Sequence, residues 1–124
     1  MDGFFVKKKS GVHGIGIFTK IDIKKNSTFY KIPLIHIFNK PRPKFAYIGN
    51  NIWVSDERIL NYVNHSCNPN SLLNVMRELK LIAKRNIKAG EEITIDYNKT
   101  EKNGVKVPCT CQSKNCRKYF LKIE

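Results

Sequence analysis

Four cysteines are the residues of this chain whose type and spacing most directly suggest chemistry. Cys109-x-Cys111-x4-Cys116 gathers three thiols into one short polar stretch, and the fourth, Cys67, lies far away in the segment Tyr62-Val63-Asn64-His65-Ser66-Cys67-Asn68-Pro69-Asn70-Ser71. Cysteines this closely spaced on a polar stretch have little reason to be core. Tetrahedral zinc needs a fourth ligand, and Cys67 is the one cysteine left to complete it. Zinc bound in this way would tie the C-terminal residues to the central segment and become part of folding. Reduced thiols without metal, or two disulfides in an exported protein, are the alternatives. His65, beside Cys67, has the chemistry of a metal ligand or a general base. Four cysteines already fill a tetrahedron, which argues against the first.

The central segment is too rich in Asn and Pro for the middle of a helix or strand, yet apolar residues lead into and out of it. Such a loop held between packed elements is a natural place for function. A second candidate is Ser10-Gly11-Val12-His13-Gly14-Ile15-Gly16, where two glycines flank one residue and let the backbone pass close to a ligand or adopt positive φ. No helix pattern follows it, so a dinucleotide fingerprint is not expected, and a tight turn between strands is the simpler reading.

The elements that must position these loops read as short strands. Residues 4–9 form a first strand; 21–27 turn; Thr28 to Phe38 is aromatic and β-branched, broken or bulged at Pro33. Residues 39–44 form a Pro-rich loop, and Phe45 to Ile48 with Ile52 to Val54 predict a hairpin across Gly49-Asn50-Asn51. Ser55-Asp56 is placed to cap a short helix over 57–63, with Ile59, Leu60 and Val63 on one face. Ser71 to Met76 and Leu79 to Lys84 read as paired strands. A turn at Ala89-Gly90-Glu91 then leads into the alternating Glu92-Ile93-Thr94-Ile95-Asp96-Tyr97. The tail from Asn98 is polar and basic.

A length of 124 residues fits one domain with a modest core. The longest apolar runs, such as Ile32 to Phe38, are too short to span a bilayer. Lys7-Lys8-Lys9 has no apolar region behind it, so no secretory signal is expected. The net charge of +13 points to contact with nucleic acid, acidic lipid or an acidic partner, or to a surface solvated by lysine.

In this order, HGIGIF, NYVNHSCNPNS and GEEITIDY resemble the three signatures of the SET domain, and CTCQSKNCRKYF resembles the zinc-binding post-SET segment. The resemblance implies a mostly β SET fold. That is a β-clip of small curved sheets with short helices, a knot-like active-site crossing of residues 91–97 with 64–70, and a zinc-bound C-terminal tail. It implies a SET domain over 1–98 and a post-SET tail over 99–124, together one compact unit. The implied activity is methyl transfer from S-adenosylmethionine to a protein lysine, with Tyr97 catalytic. Cofactor contacts fall to His13, Gly14, Ile15, Gly16, Asn64, His65 and Thr110, and one structural zinc to Cys67, Cys109, Cys111 and Cys116. A histone tail is the implied substrate class, nucleosomal DNA is a further partner for the basic surface, and an intracellular location, in the nucleus or on chromatin, follows.

The chain departs from the family in places. Residues 32–36 lack the Tyr-x-Gly-Glu element of many histone-directed members. Ile95 stands where many have an aromatic, and Leu72 and Leu73 replace a tyrosine found in some; a pocket without that hydroxyl would permit more than one methyl. A SET-like module that binds without catalysing, or a small cationic disulfide protein acting on nucleic acid, are the rival readings. A dimer is compatible with so small a core, although no stretch marks an interface.

Overall fold

The computed structural model describes residues 3–11, 14–34, 36–40, 45–49, 52–75 and 78–96, and the backbone alone of residues 2, 105–108 and 119–122. Strands β1 (Phe5–Lys9) and β2 (Ile15–Thr19) pair antiparallel. Strands β3 (Thr28–Lys31) and β4 (His36–Phe38) follow, then β5 (Ala46–Gly49), β6 (Ile52–Ser55) and the two-residue β7 (Asn64–His65). Next come β8 (Ser71–Asn74), β9 (Lys80–Ala83), β10 (Thr94–Ile95), β11 (Val105–Pro108) and β12 (Tyr119–Lys122). They form two three-stranded sheets, β3-β9-β8 and β4-β6-β5, and three two-stranded ones. The mostly β expectation holds.

The stretch Thr28–Phe38 divides at Ile32-Pro33 because proline lacks the N–H a ladder needs. Its halves join different sheets: β3 pairs with β9 and β4 with β6. The β5–β6 and β8–β9 pairings fall where the sequence places them. Inward side chains from several sheets, Ile17, Val54, Leu81 and Ile93 among them, meet in one core whose members are almost fully buried.

Two expectations are corrected. Residues 57–63 form no α-helix but a turn and a single 3-10 turn, Leu60–Tyr62. The N-cap position falls on Ile59 rather than on Ser55 or Asp56, but the Asp56 carboxylate still ties the turn down, accepting from Leu60 N at 3.0 Å and from the Tyr30 hydroxyl at 2.8 Å. Asn61 returns its side-chain oxygen to Asp56 N at 2.9 Å, so the segment closes on itself before a second helical turn. Ile59, Leu60 and Val63 still face the core. The central segment is also not wholly loop, since Asn64 and His65 pair in parallel with Thr94 and Ile95. Beyond residue 98, the β11–β12 antiparallel pair gives the tail backbone structure that its polar composition did not announce.

Asn70 holds this crossing together. Its Nδ2 donates to Glu92 O at 2.7 Å, and its Oδ1 accepts from Thr94 N and from Ser71 Oγ, each at 3.0 Å. An unpaired buried backbone group costs about 1–3 kcal/mol, and Asn70→Ala would orphan two. Asn70→Ala is therefore expected to lower unfolding free energy by about 3 kcal/mol in urea titrations. Leu72→Ala, at a 40% exposed position, should change it by less than about 0.5 kcal/mol.

Candidate functional site

The site is built where β2, β7 and β10 converge. Asn64 and His65, 6% and 2% exposed, are carried by β7 and fixed from one side by β10. Ser66 N continues that ladder, donating to Ile95 O at 3.0 Å. Ile93 N donates to Ile17 O at 2.8 Å, which brings β2 to the same place. The Asn64 amide donates to Ile15 O at 3.3 Å and to Glu92 Oε2 at 2.8 Å.

The two glycines of the first motif serve different ends. Gly14 has φ +48°, a left-handed value that glycine adopts without steric cost, and its carbonyl accepts from Ser10 N at 2.7 Å to close the loop. Gly16 is needed for room: a Cβ there would sit 2.9 Å from Glu92 Cδ and 3.2 Å from Asn64 Nδ2. Ile15, Gly16 and Asn64 are thus brought together beside the Glu92 carboxylate, and Gly14 closes the loop that carries Ser10. Ser10 Oγ also donates to that carboxylate, at 2.7 and 2.9 Å.

His65 faces the other way. Its Nε2 lies 3.4 Å from Cys67 Sγ, and its Nδ1 is 3.8 Å from Asp96 Oδ1, beyond hydrogen-bond length. Cys67 is buried and is in no disulfide. No cluster of metal-ligating side chains occurs among the described residues. His13, Tyr97, Cys109, Thr110, Cys111 and Cys116 lie outside them, so the expected placement of Tyr97 at the crossing falls outside the described residues. A cleft of about 140 Å³ opens beside residue 96, lined by Pro69, Ser71, Leu72, Leu73, Lys84, Ile95 and Asp96.

Ser10, Glu92 and Asn70 carry the geometry, and although each falls within a stretch that stands out in the sequence, the sequence assigns a role to none of them. The available signal is the alternation of residues 92–97, which sets Glu92, Thr94 and Asp96 apart from Ile93 and Ile95, and the asparagine that follows Pro69.

Residues 14–98 match the family model for the SET domain, and the chain belongs to that family. It is 29% identical to the histone-lysine N-methyltransferase trr of Drosophila melanogaster, over 90% of this chain and 6% of that protein. It is 37% identical to a histone-lysine N-methyltransferase of Debaryomyces hansenii, H3 lysine-36 specific, over 70% of this chain and 12% of that one. The chain therefore spans only a small part of these curated relatives. Among solved structures it resembles Kryptonite in complex with mCHH DNA, an H3(1-15) peptide and SAH. That likeness has a TM-score of 0.75 and 18% identity, covering 93% of this chain and 29% of that one. The methyltransferase domain of human SETMAR gives a TM-score of 0.72 at 20% identity, covering 97% and 58%.

Gly16→Ala must displace the Glu92 carboxylate or Asn64, and is expected to cost about 1–3 kcal/mol. Gly11→Ala meets no atom within 4 Å. Thermal unfolding should separate them, with a fall in midpoint for the first and little change for the second.

Proposed function

We propose that this chain transfers methyl groups from S-adenosylmethionine to the side-chain amine of a protein lysine, on a histone or another basic tail. The observation that carries this reading is the meeting of Ile15-Gly16 with Asn64 at the β7–β10 crossing, within a SET-family chain. Residues 1–98 would be the methyl-transferring body and 99–124 the zinc-binding tail. His13 to Gly16, with Asn64, His65 and Thr110, would hold the cofactor, which when bound supplies an electrophilic methyl on a positively charged sulfur. The exposed loop backbone at Gly14 and Ile15 and the fixed Asn64 amide suit a ligand that is both polar and cationic.

The chain's own part in the reaction is positioning. A free lysine, with a pKa of about 10.4, is mostly protonated and cannot attack. A narrow, partly apolar entry disfavours the charged amine, and the cleft bounded by Leu72, Leu73 and Ile95 has that character. The Tyr97 hydroxyl, which follows that cleft in sequence, would orient the amine's lone pair toward the methyl. Leu72 and Leu73 bring no hydroxyl to the cleft, so successive methyl additions are expected on one lysine. Mass spectra at exhaustive turnover showing only single methylation would overturn that part.

Incubation with methyl-labelled S-adenosylmethionine and core histones or nucleosomes tests the whole reading. Label on a histone, reduced at least about 100-fold by Tyr97→Phe, is the expected result. Cofactor binding without transfer to any basic protein would instead mark a module that no longer catalyses.

The donor set of Cys67, Cys109, Cys111 and Cys116 suits one tetrahedral zinc, and the buried Cys67 sulfur already sits against an imidazole nitrogen. One equivalent of zinc per chain, with four thiols released by chelation, is expected. No thiols without reductant would mean disulfides.

The positive charge is suited to phosphate and supports a reading in which the protein would act on chromatin in the nucleus. Lys7 and Lys8 are partly engaged within the fold, lying over the rings of Tyr62 and Phe18. Lys24, Lys25 and Lys88 instead border one shallow cleft. Reversing these three to Glu should weaken DNA binding and make the salt dependence shallower, by about 0.9 in slope for every phosphate that is no longer neutralised. An unchanged slope would remove this face from the interface.

A further inference from the structure

Glu92 is half-buried, and its carboxylate is held by neutral donors from two distant parts of the chain. Ser10 Oγ donates to both of its oxygens, at 2.7 and 2.9 Å, and Asn64 Nδ2 donates to Oε2 at 2.8 Å. The salt bridges among the described residues join Lys31 to Glu78, His65 to Asp96 and Arg85 to Glu91; none involves Glu92. Its backbone is equally fixed, with its carbonyl accepting from Asn70 and a bridge to Phe18. A rigid carboxylate with no cationic partner among the described residues therefore stands against Gly16, where a Cβ would overlap it.

We propose that Glu92 is a positioning residue for the cofactor, which fixes the Asn64 amide and supplies the negative charge that favours a cationic ligand. This rests on the reading that residues 14–16 and 64 bind S-adenosylmethionine. Both hydrogens of the Asn64 amide are directed, one to Ile15 O and one to Glu92, which determines the side on which its oxygen lies. A glutamine at 92 could present its own N–H₂ to Asn64 and turn that amide over. Ser10 joins the same carboxylate to the loop closed by Gly14, so loop and amide are set by one group. The methyl donor carries a positive sulfur and its demethylated product a neutral one. A fixed negative charge acting through a site of low dielectric therefore favours the donor over the product.

The test is titration calorimetry of the full chain with S-adenosylmethionine and with S-adenosylhomocysteine, for wild type, Glu92→Gln and Ser10→Ala, beside steady-state kinetics. Glu92→Gln is expected to weaken donor binding about 10- to 100-fold, the range for losing a hydrogen bond to a charged group. The product should lose less, and the effect should fall on KM, with kcat within about threefold. Ser10→Ala, which keeps the carboxylate, should weaken donor binding in the same direction by less. Donor affinity unchanged within about twofold in a folded Glu92→Gln protein would overturn the proposal. So would equal losses for donor and product accompanied by a lowered unfolding midpoint, the mark of a merely structural role. If Glu92→Gln does not fold, Ser10→Ala decides, and wild-type affinity there overturns the proposal. A wild-type protein that binds neither ligand would defeat the cofactor reading itself, and this inference with it.

Discussion

The site depends on the parallel contact between β7 and β10, two strands of two residues each. A pairing so short has too few ladder bonds to hold its own register. It is Asn70 that makes it definite, because one buried amide satisfies a carbonyl on one side and an N–H on the other, at Glu92 and Thr94. The Asn70 backbone is held as well, its N–H directed to Thr94 Oγ1 at 3.3 Å and its carbonyl accepting from Lys84 N at 2.8 Å. Only a side chain with both donor and acceptor at that length can make these contacts. A carboxylate would lose the donor and a leucine would lose both, leaving backbone polar groups dry.

The same crossing explains why the candidate site is rigid where it needs to be. Glu92 receives Asn70 on its backbone and Ser10 and Asn64 on its side chain. The residue that completes the crossing thus also fixes the first glycine loop and the asparagine beside it. Loop, amide and crossing are therefore parts of one hydrogen-bonded unit, and their geometry follows from packing within the chain itself.

Much of this is legible from residue type. Strand pairs with β-branched and aromatic runs, such as β5–β6 and β8–β9, follow local rules, and so does the break at Pro33. The resemblance also locates the crossing of 64–70 with 91–97. The short helix expected over 57–63 does not form, because a local apolar face at helical spacing looks the same whether one turn forms or two; the Asp56–Tyr30 bond that limits it links residues remote in sequence. The Ser10–Glu92 contact is hidden for the same reason. Nothing within a few residues of either marks the other, and only the fold makes them neighbours.

Charge offers a further step, because the acidic residues are placed so differently from the basic ones. Asp22 accepts from Ala89 N, Asp56 from Leu60 N and Glu91 from Lys88 N, each carboxylate holding a turn or a strand end. Glu92 holds the site, and Asp96 lies beside buried His65. Acids in these positions serve the fold from within, whereas Lys7, Lys8 and Lys9 are all exposed along β1. The outcome is a strongly positive exterior around a small corner whose fixed charge is negative. Long-range attraction would then favour a polyanion, while the corner would favour a small cation once water is excluded. The two preferences do not compete, since the first is screened by salt beyond about 8 Å and the second acts at contact distance.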